Sequence, residues 1–161
     1  SSGSGAKNSG QILGLLGDVI FNTKVPVLVQ PDGVRKFEAA GPAVVAWNGS
    51  FEAGNALRAA VPLLKLASEV HIVVVEEDKA HDLPPLEASE YLSRYGIKSN
   101  IHDLAADKSS VQAVLLSTVD ALQAGYLVMG AYGHSRAREF LFGGVTRNLF
   151  RECPVPLLVS H

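Results

Sequence analysis

The chain has 161 residues, 47% of them hydrophobic and 19% charged, which is enough apolar material for one packed domain with an extension and excludes general disorder. Fourteen Lys and Arg against sixteen Asp and Glu leave a net charge of -2, so no overall field draws the chain to nucleic acid or to anionic lipid. A single cysteine, Cys153, excludes an internal disulfide and a Cys-rich zinc site, and no apolar run approaches the ~20 residues that span a membrane. Residues 1–10 hold four Ser and three Gly, without a basic flank and hydrophobic stretch. They are expected to form a flexible segment rather than a signal peptide, in a chain expected to be cytoplasmic. Gln11 to Asn22 is a short amphipathic stretch, Val25 to Gln30 a short strand, and Pro31 to Pro42 has the Pro, Gly and mixed charge of a linker.

A regular alternation follows. Ala43 to Trp47 is a buried strand, Asn48-Gly49-Ser50 a turn with Ser50 as N-cap, and Phe51 to Ala67 a helix with Leu57, Val61, Leu64 and Ala67 on one face. Val70 to Val75 is a strand, Leu86 to Tyr95 a helix closed by Gly96, and Ile97 to Leu104 a weaker strand. Ser109 to Ala124 is a helix closed by Gly125, Tyr126 to Gly130 a strand, Arg136 to Arg151 mostly helix, and Val155 to Ser160 the last strand. Strands without polar alternation are buried on both faces, so residues 43–161 predict an α/β fold with a doubly wound parallel sheet. Such sheets hold ligands at the carboxyl ends of the strands, where the strand order reverses.

The first 30 residues repeat the last 30. A shift of 130 places Val25-Pro26-Val27-Leu28-Val29 over Val155-Pro156-Leu157-Leu158-Val159, and Gly14 to Phe21 over Gly144 to Arg151. The pattern is that of the back of one α/β unit followed by a complete second unit, although short helix-strand segments carrying V-P-V also look alike by chance.

The chemical signal lies in residues 126–147. Gly130 ends a strand, Gly133 follows, and nine residues lead to Gly143 and Gly144. Glycines let a backbone approach a polyphosphate, and Gly143 to Thr146 opens a helical turn whose free N–H groups favour an anion. His134, Ser135 and Arg136 add donors. The same glycines also serve simply to turn the chain and to let a helix pack, and spacing alone does not choose between these readings. His71, inside an apolar strand, is expected to be a hydrogen-bonded core residue. His81 and His102 lack a short ligand spacing. Trp47 is expected in the core at a strand end, His161 in solvent, and Cys153 as an inert thiol. No catalytic residue is assigned, and no metal site.

The Gly-x2-Gly-x9-Gly run, the Asn48-Gly49-Ser50 turn after the first strand and the closing VPLLVS strand together resemble the universal stress protein family over residues 43–161. That resemblance implies a Rossmann-like five-stranded sheet of order 3-2-1-4-5. It also implies a stress-response module that binds ATP or another adenine nucleotide, with Mg²⁺, and is not an enzyme. The adenine would lie near Ala46, Trp47, Val75 and Met129, the ribose at Asn48 and Gly130, and the phosphates along Gly133, His134, Ser135, Arg136, Gly143, Gly144, Val145 and Thr146. Two departures weaken the expected binding. Gly144 stands where the family has Ser or Thr, and Asn48 where it has Asp. The alternative is a nucleotide-free interaction and dimerisation module of the same fold. The resemblance further implies that residues 1–30 are the tail of a preceding domain of the same kind and residues 31–42 a linker. Val25 to Val29 is then expected to pair with Val155 to Val159, as a dimer or as a pseudo-dimer within one chain.

Overall fold

A computed structural model describes residues 4–34, 36–76, 84–131 and 144–161. The chain runs α1 (Ser4–Thr23), β1 (Val27–Val29), β2 (Ala43–Ala46), α2 (Phe51–Leu64), β3 (Val70–Glu76), α3 (Pro85–Ser93), β4 (Asn100–Ala105), α4 (Val111–Ala121), β5 (Tyr126–Gly130), α5 (Gly144–Glu152) and β6 (Leu157–Ser160). The strands form one sheet of order β1-β6-β5-β2-β3-β4. Counting only β2 to β6, this is the expected 3-2-1-4-5, with all neighbours parallel. The sixth strand, β1, pairs antiparallel with β6 within the chain.

That pairing has an internal symmetry. Val27 lies opposite Val159, Leu28 opposite Leu158, and Val29 opposite Leu157. The shift of 130 exchanges the two strands, so a pseudo-twofold axis passes between Leu28 and Leu158. Pro26 and Pro156, which have no N–H to give, fall just outside the ladder.

Alternation along the strands divides the core into two layers. Val45, Trp47, Ile72, Val74, Tyr126, Val128 and Leu158 face α2 and α3. Val44, Val73, Leu127, Met129, Leu157 and Val159 face the other way, toward Leu13 and Ile20 of α1, Leu115 and Val119 of α4, and Leu149 and Phe150 of α5. Each fully buried Leu or Val is worth ~1.5–3 kcal/mol, so both layers are needed to hold the sheet. The helices start where their sequence says: the Ser50 hydroxyl accepts from Ala53 N–H at 3.2 Å, and that of Ser110 from Ala113 N–H at 3.1 Å.

Three expectations are corrected. The Ser/Gly-rich segment is not wholly flexible, because α1 begins at Ser4; its helix is twenty residues long and gains from Leu13 and Ile20 docking on the sheet. Residues 31–42 are also tied to the domain. Phe37 packs on Tyr126 with ring centroids 5.4 Å apart, and Ala40 C=O accepts from Ser68 N–H at 3.1 Å. Gly125 is not the residue that ends α4 in the left-handed conformation. Gln123 holds that place at φ 52°, and Gly125 is small because a Cβ there would collide with the Glu38 carbonyl. Several elements are also shorter than their apolar patterns: the strand at 97–104 begins at Asn100, and the helix at 51–67 ends at Leu64. Gly96 does sit at φ 75° after α3, as its place in the sequence requires.

Candidate functional site

The sheet reverses its order between β2 and β5, so the carboxyl ends of these strands frame the cleft where such folds take ligands. From β2 the chain passes through Trp47, whose N–H donates to Val73 C=O at 2.9 Å, into the Asn48-Gly49-Ser50 turn. Asn48 Oδ1 accepts from both Ser50 N–H, at 3.1 Å, and Ser50 Oγ–H, at 2.6 Å. Gly49 takes φ 72°, which a side chain would strain. This sequence of turn, cap and helix start therefore positions the first turn of α2 beside the end of β5.

Gly130 lies where β5 meets that turn. A Cβ on it would sit 2.5 Å from Ala53 N and 2.5 Å from Glu52 C, both backbone atoms that cannot move aside. Close packing of strand on helix is thus a sufficient reason for this glycine. A β-branched residue at 130 would displace α2 as well as any ligand.

The structure brings three of the adenine-side residues together. Ala46, Val75 and Met129 stand on neighbouring strands β2, β3 and β5 and belong to the α4/α5 layer, with Ala46 and Val75 only partly buried. Trp47 belongs to the opposite layer, against α2, and is 4% exposed. It is the core aromatic that its apolar strand suggested, and it does not share a face with the other three. Asn48 is exposed at the end of β2. A ribose hydroxyl reaching its Oδ1 would have to displace one of the two Ser50 bonds. Gly144 and Val145 open α5, and Thr146 is buried in its first turn. Gly133, His134, Ser135, Arg136 and Gly143 lie outside the described residues.

His161 was missed as a structural residue. It is not simply solvated: its Nδ1–H donates to Ala131 C=O at 3.1 Å, its ring stacks on Phe21 with centroids 4.5 Å apart, and its main-chain oxygen accepts from Asn55 Nδ2 at 3.3 Å. The carbonyl of Ala131 can only accept, which fixes the proton on Nδ1. The signal was the repeat, which brings α1 onto the carboxyl end of β6. His71 is the hydrogen-bonded core residue expected, and its partners turn out to be His102 and Glu69. Burial holds Cys153 as a thiol by pushing its pKa up. Among the described residues no group of three or more His, Cys, Asp or Glu could hold a metal ion, and no helix is long and apolar enough to cross a membrane.

A profile of the universal stress protein family matches residues 41–161. The universal stress protein Slr1230 of Synechocystis sp. is 28% identical over 155 residues, covering 87% of this chain and 48% of its own length. A universal stress protein from Archaeoglobus fulgidus DSM 4304, known by crystal structure, is 26% identical with a TM-score of 0.67, covering 89% of this chain and 52% of that one. This chain thus spans about half the length of both. A further crystal structure, of a universal stress protein in complex with cAMP, shares the fold at 19% identity and a TM-score of 0.58, covering 77% of this chain and 99% of that one.

Proposed function

The chain belongs to the universal stress protein family, and on that premise we propose that it is a stress-response module holding ATP or another adenine nucleotide, with Mg²⁺, at the carboxyl ends of β2 and β5. The observation that carries this reading is the reversal of strand order between these two strands, directly ahead of the glycine-rich segment. The existence of a family member of like fold in complex with cAMP, itself an adenine nucleotide, supports it. Adenine would contact Ala46, Val75 and Met129, whereas Trp47, on the opposite face of the sheet, would hold β2 against α2 rather than touch the base. The ribose would meet Asn48 and Gly130, and the phosphates Gly133 to Arg136 and Gly143 to Thr146. The role is binding rather than catalysis, in the cytoplasm. Residues 1–30 are the end of a preceding domain, 31–42 join it to the next, and 43–161 form that next domain. The half-length match to the relatives and the pseudo-twofold pairing of β1 with β6 support this division.

A second reading, a nucleotide-free interaction module, is favoured by the Asn48 oxygen, which already accepts two hydrogen bonds. Thermal melting with ATP and Mg²⁺ separates the two. At a hundred times its Kd, nucleotide should add about 2.7 kcal/mol of stability. Asn48→Asp with Gly144→Ser should tighten binding by about tenfold or more, because a lost bond to a charged group is worth ~1.5–3 kcal/mol. A melting point indifferent to millimolar nucleotide in both chains favours the second reading.

A further inference from the structure

A line of contacts runs from the first copy of the repeat to the mouth of the β2/β5 cleft. Phe21, in the last turn of α1, stacks on the His161 ring at an interplanar angle of 23°. That ring gives its Nδ1–H to Ala131 C=O at 3.1 Å. Ala131 directly follows Gly130, is buried, and gives its own N–H to Ser160 C=O at 2.9 Å. Both main-chain groups of Ala131 are therefore held by residues 160 and 161. The main-chain oxygen of His161 in turn accepts from Asn55 of α2, the helix whose first turn borders Gly130. His161 thus joins α1, β5 and α2 at one point.

The imidazole is under two constraints. Stacking on Phe21 sets its plane, and the bond to Ala131 sets its rotation within that plane. A hydrogen bond weakens steeply as its angle closes, so a ring released from Phe21 and free to tilt holds the carbonyl less well. A peptide unit is planar, so fixing the Ala131 carbonyl fixes the direction in which the main chain leaves β5. The anchorage of α1 itself is light: Leu13 and Ile20 are buried, whereas Ile12, Leu15 and Val19 are exposed. A lightly anchored element is one whose docking a ligand can shift.

We propose that His161 is a positioning residue for the cleft, and that through it the docking of α1 raises the cleft's affinity for nucleotide. This rests on the nucleotide reading of the cleft given above. With α1 docked, the exit of β5 is set before the ligand arrives, which spares binding the cost of ordering it. Linkage makes the effect reciprocal, so nucleotide in the cleft favours docked α1. The repeat segment then has a role besides covering the edge of β6.

Calorimetric titration of the whole chain with ATP and Mg²⁺, well below its melting point, tests this. His161→Phe keeps the stack on Phe21 and loses the donor to Ala131. It should bind ATP about threefold to tenfold more weakly, the size of one partly buried hydrogen bond. His161→Asn, which keeps an N–H donor, should recover part of that loss. Phe21→Leu should weaken ATP in the unaltered background and add nothing in the His161→Phe background. Leu92→Val, in the α3 layer of the core, should lower the melting point and leave the affinity unchanged, which separates positioning from general stability. ATP should slow hydrogen exchange of residues 11–22 in the unaltered chain and not in His161→Phe. Equal affinities in the unaltered, His161→Phe and Phe21→Leu chains, or additive losses in the double variant, would overturn the proposal and leave the nucleotide reading standing. An unaltered chain that does not bind ATP would overturn both.

Discussion

The two copies of the repeat, α1–β1 and α5–β6, have nearly the same sequence pattern and very different surroundings. β6 lies between β5 and β1, whereas β1 has β6 on one side and no strand among the described residues on the other. Leu158 is accordingly 7% exposed and its pseudo-twofold mate Leu28 is 45% exposed, although the two stand directly opposite each other. Burial in a sheet is thus a property of what flanks a strand, not of its own residues. The apolar pattern VPVLV announces a strand that wants two neighbours, and only one of its two copies has them here. The same contrast explains why β6 needs β1. An uncovered β6 would present a row of unpaired N–H and C=O groups and invite another chain.

The comparison can be broken outright by removing residues 1–30. That deletes β1 and the buried Leu13 and Ile20, at about 3–6 kcal/mol for two buried apolar side chains, and bares the edge of β6. Sedimentation should then show dimers through residues 157–160 or aggregates; a monomer of unchanged melting point would make the segment a passive remnant. Single substitutions sharpen the asymmetry. Leu158→Ala should cost about 2–5 kcal/mol in denaturant unfolding and Leu28→Ala about 1 kcal/mol or less, because only the first empties a packed site.

The β5 side of β6 offers a test with pH. Tyr126 is fully buried, its hydroxyl finds no hydrogen-bond partner among the described residues, and burial pushes its pKa up to about 12. A raised folded-state pKa means stability is intact below the unfolded value of ~10 and falls as pH rises toward 12. Alkaline melting should therefore show a loss of about 2–3 kcal/mol over that window, absent in Tyr126→Phe. The smallest effect concerns α1 itself. Gly14 lies inside the helix with open space where a Cβ would stand, so Gly14→Ala should stabilise by ~0.5–1 kcal/mol in thermal melting.

Much of this arrangement was legible beforehand. The β/α alternation and the helix start at Ser50 follow from apolar runs and a cap, whereas the strand order and the pairing of 27–29 with 157–159 needed the family resemblance, the latter together with the repeat. What was hidden depends on contacts between segments distant in sequence. Nothing local announces that Gly125 faces Glu38, that Gly130 faces the backbone of Glu52 and Ala53, or that His161 is held by Ala131 and Phe21. His71 and His102 looked unrelated because their meeting depends on the register of β3 against β4, which no spacing encodes. At the candidate site, the face shared by Ala46, Val75 and Met129 follows from strand alternation. The same alternation sends Trp47 to the other face, which a transfer of family positions by sequence alone does not reveal.

The closure of β6 by its own chain is tested most directly by a cross-link. Leu28→Cys together with Leu158→Cys places two thiols at directly opposed positions, within disulfide reach, while Cys153 stays buried and out of the way. Electrophoresis without reductant after mild oxidation should show a faster-running single chain as the main product. Covalent dimers in its place would mean that the strand is exchanged between two chains, and no cross-link at all would contradict the pairing itself.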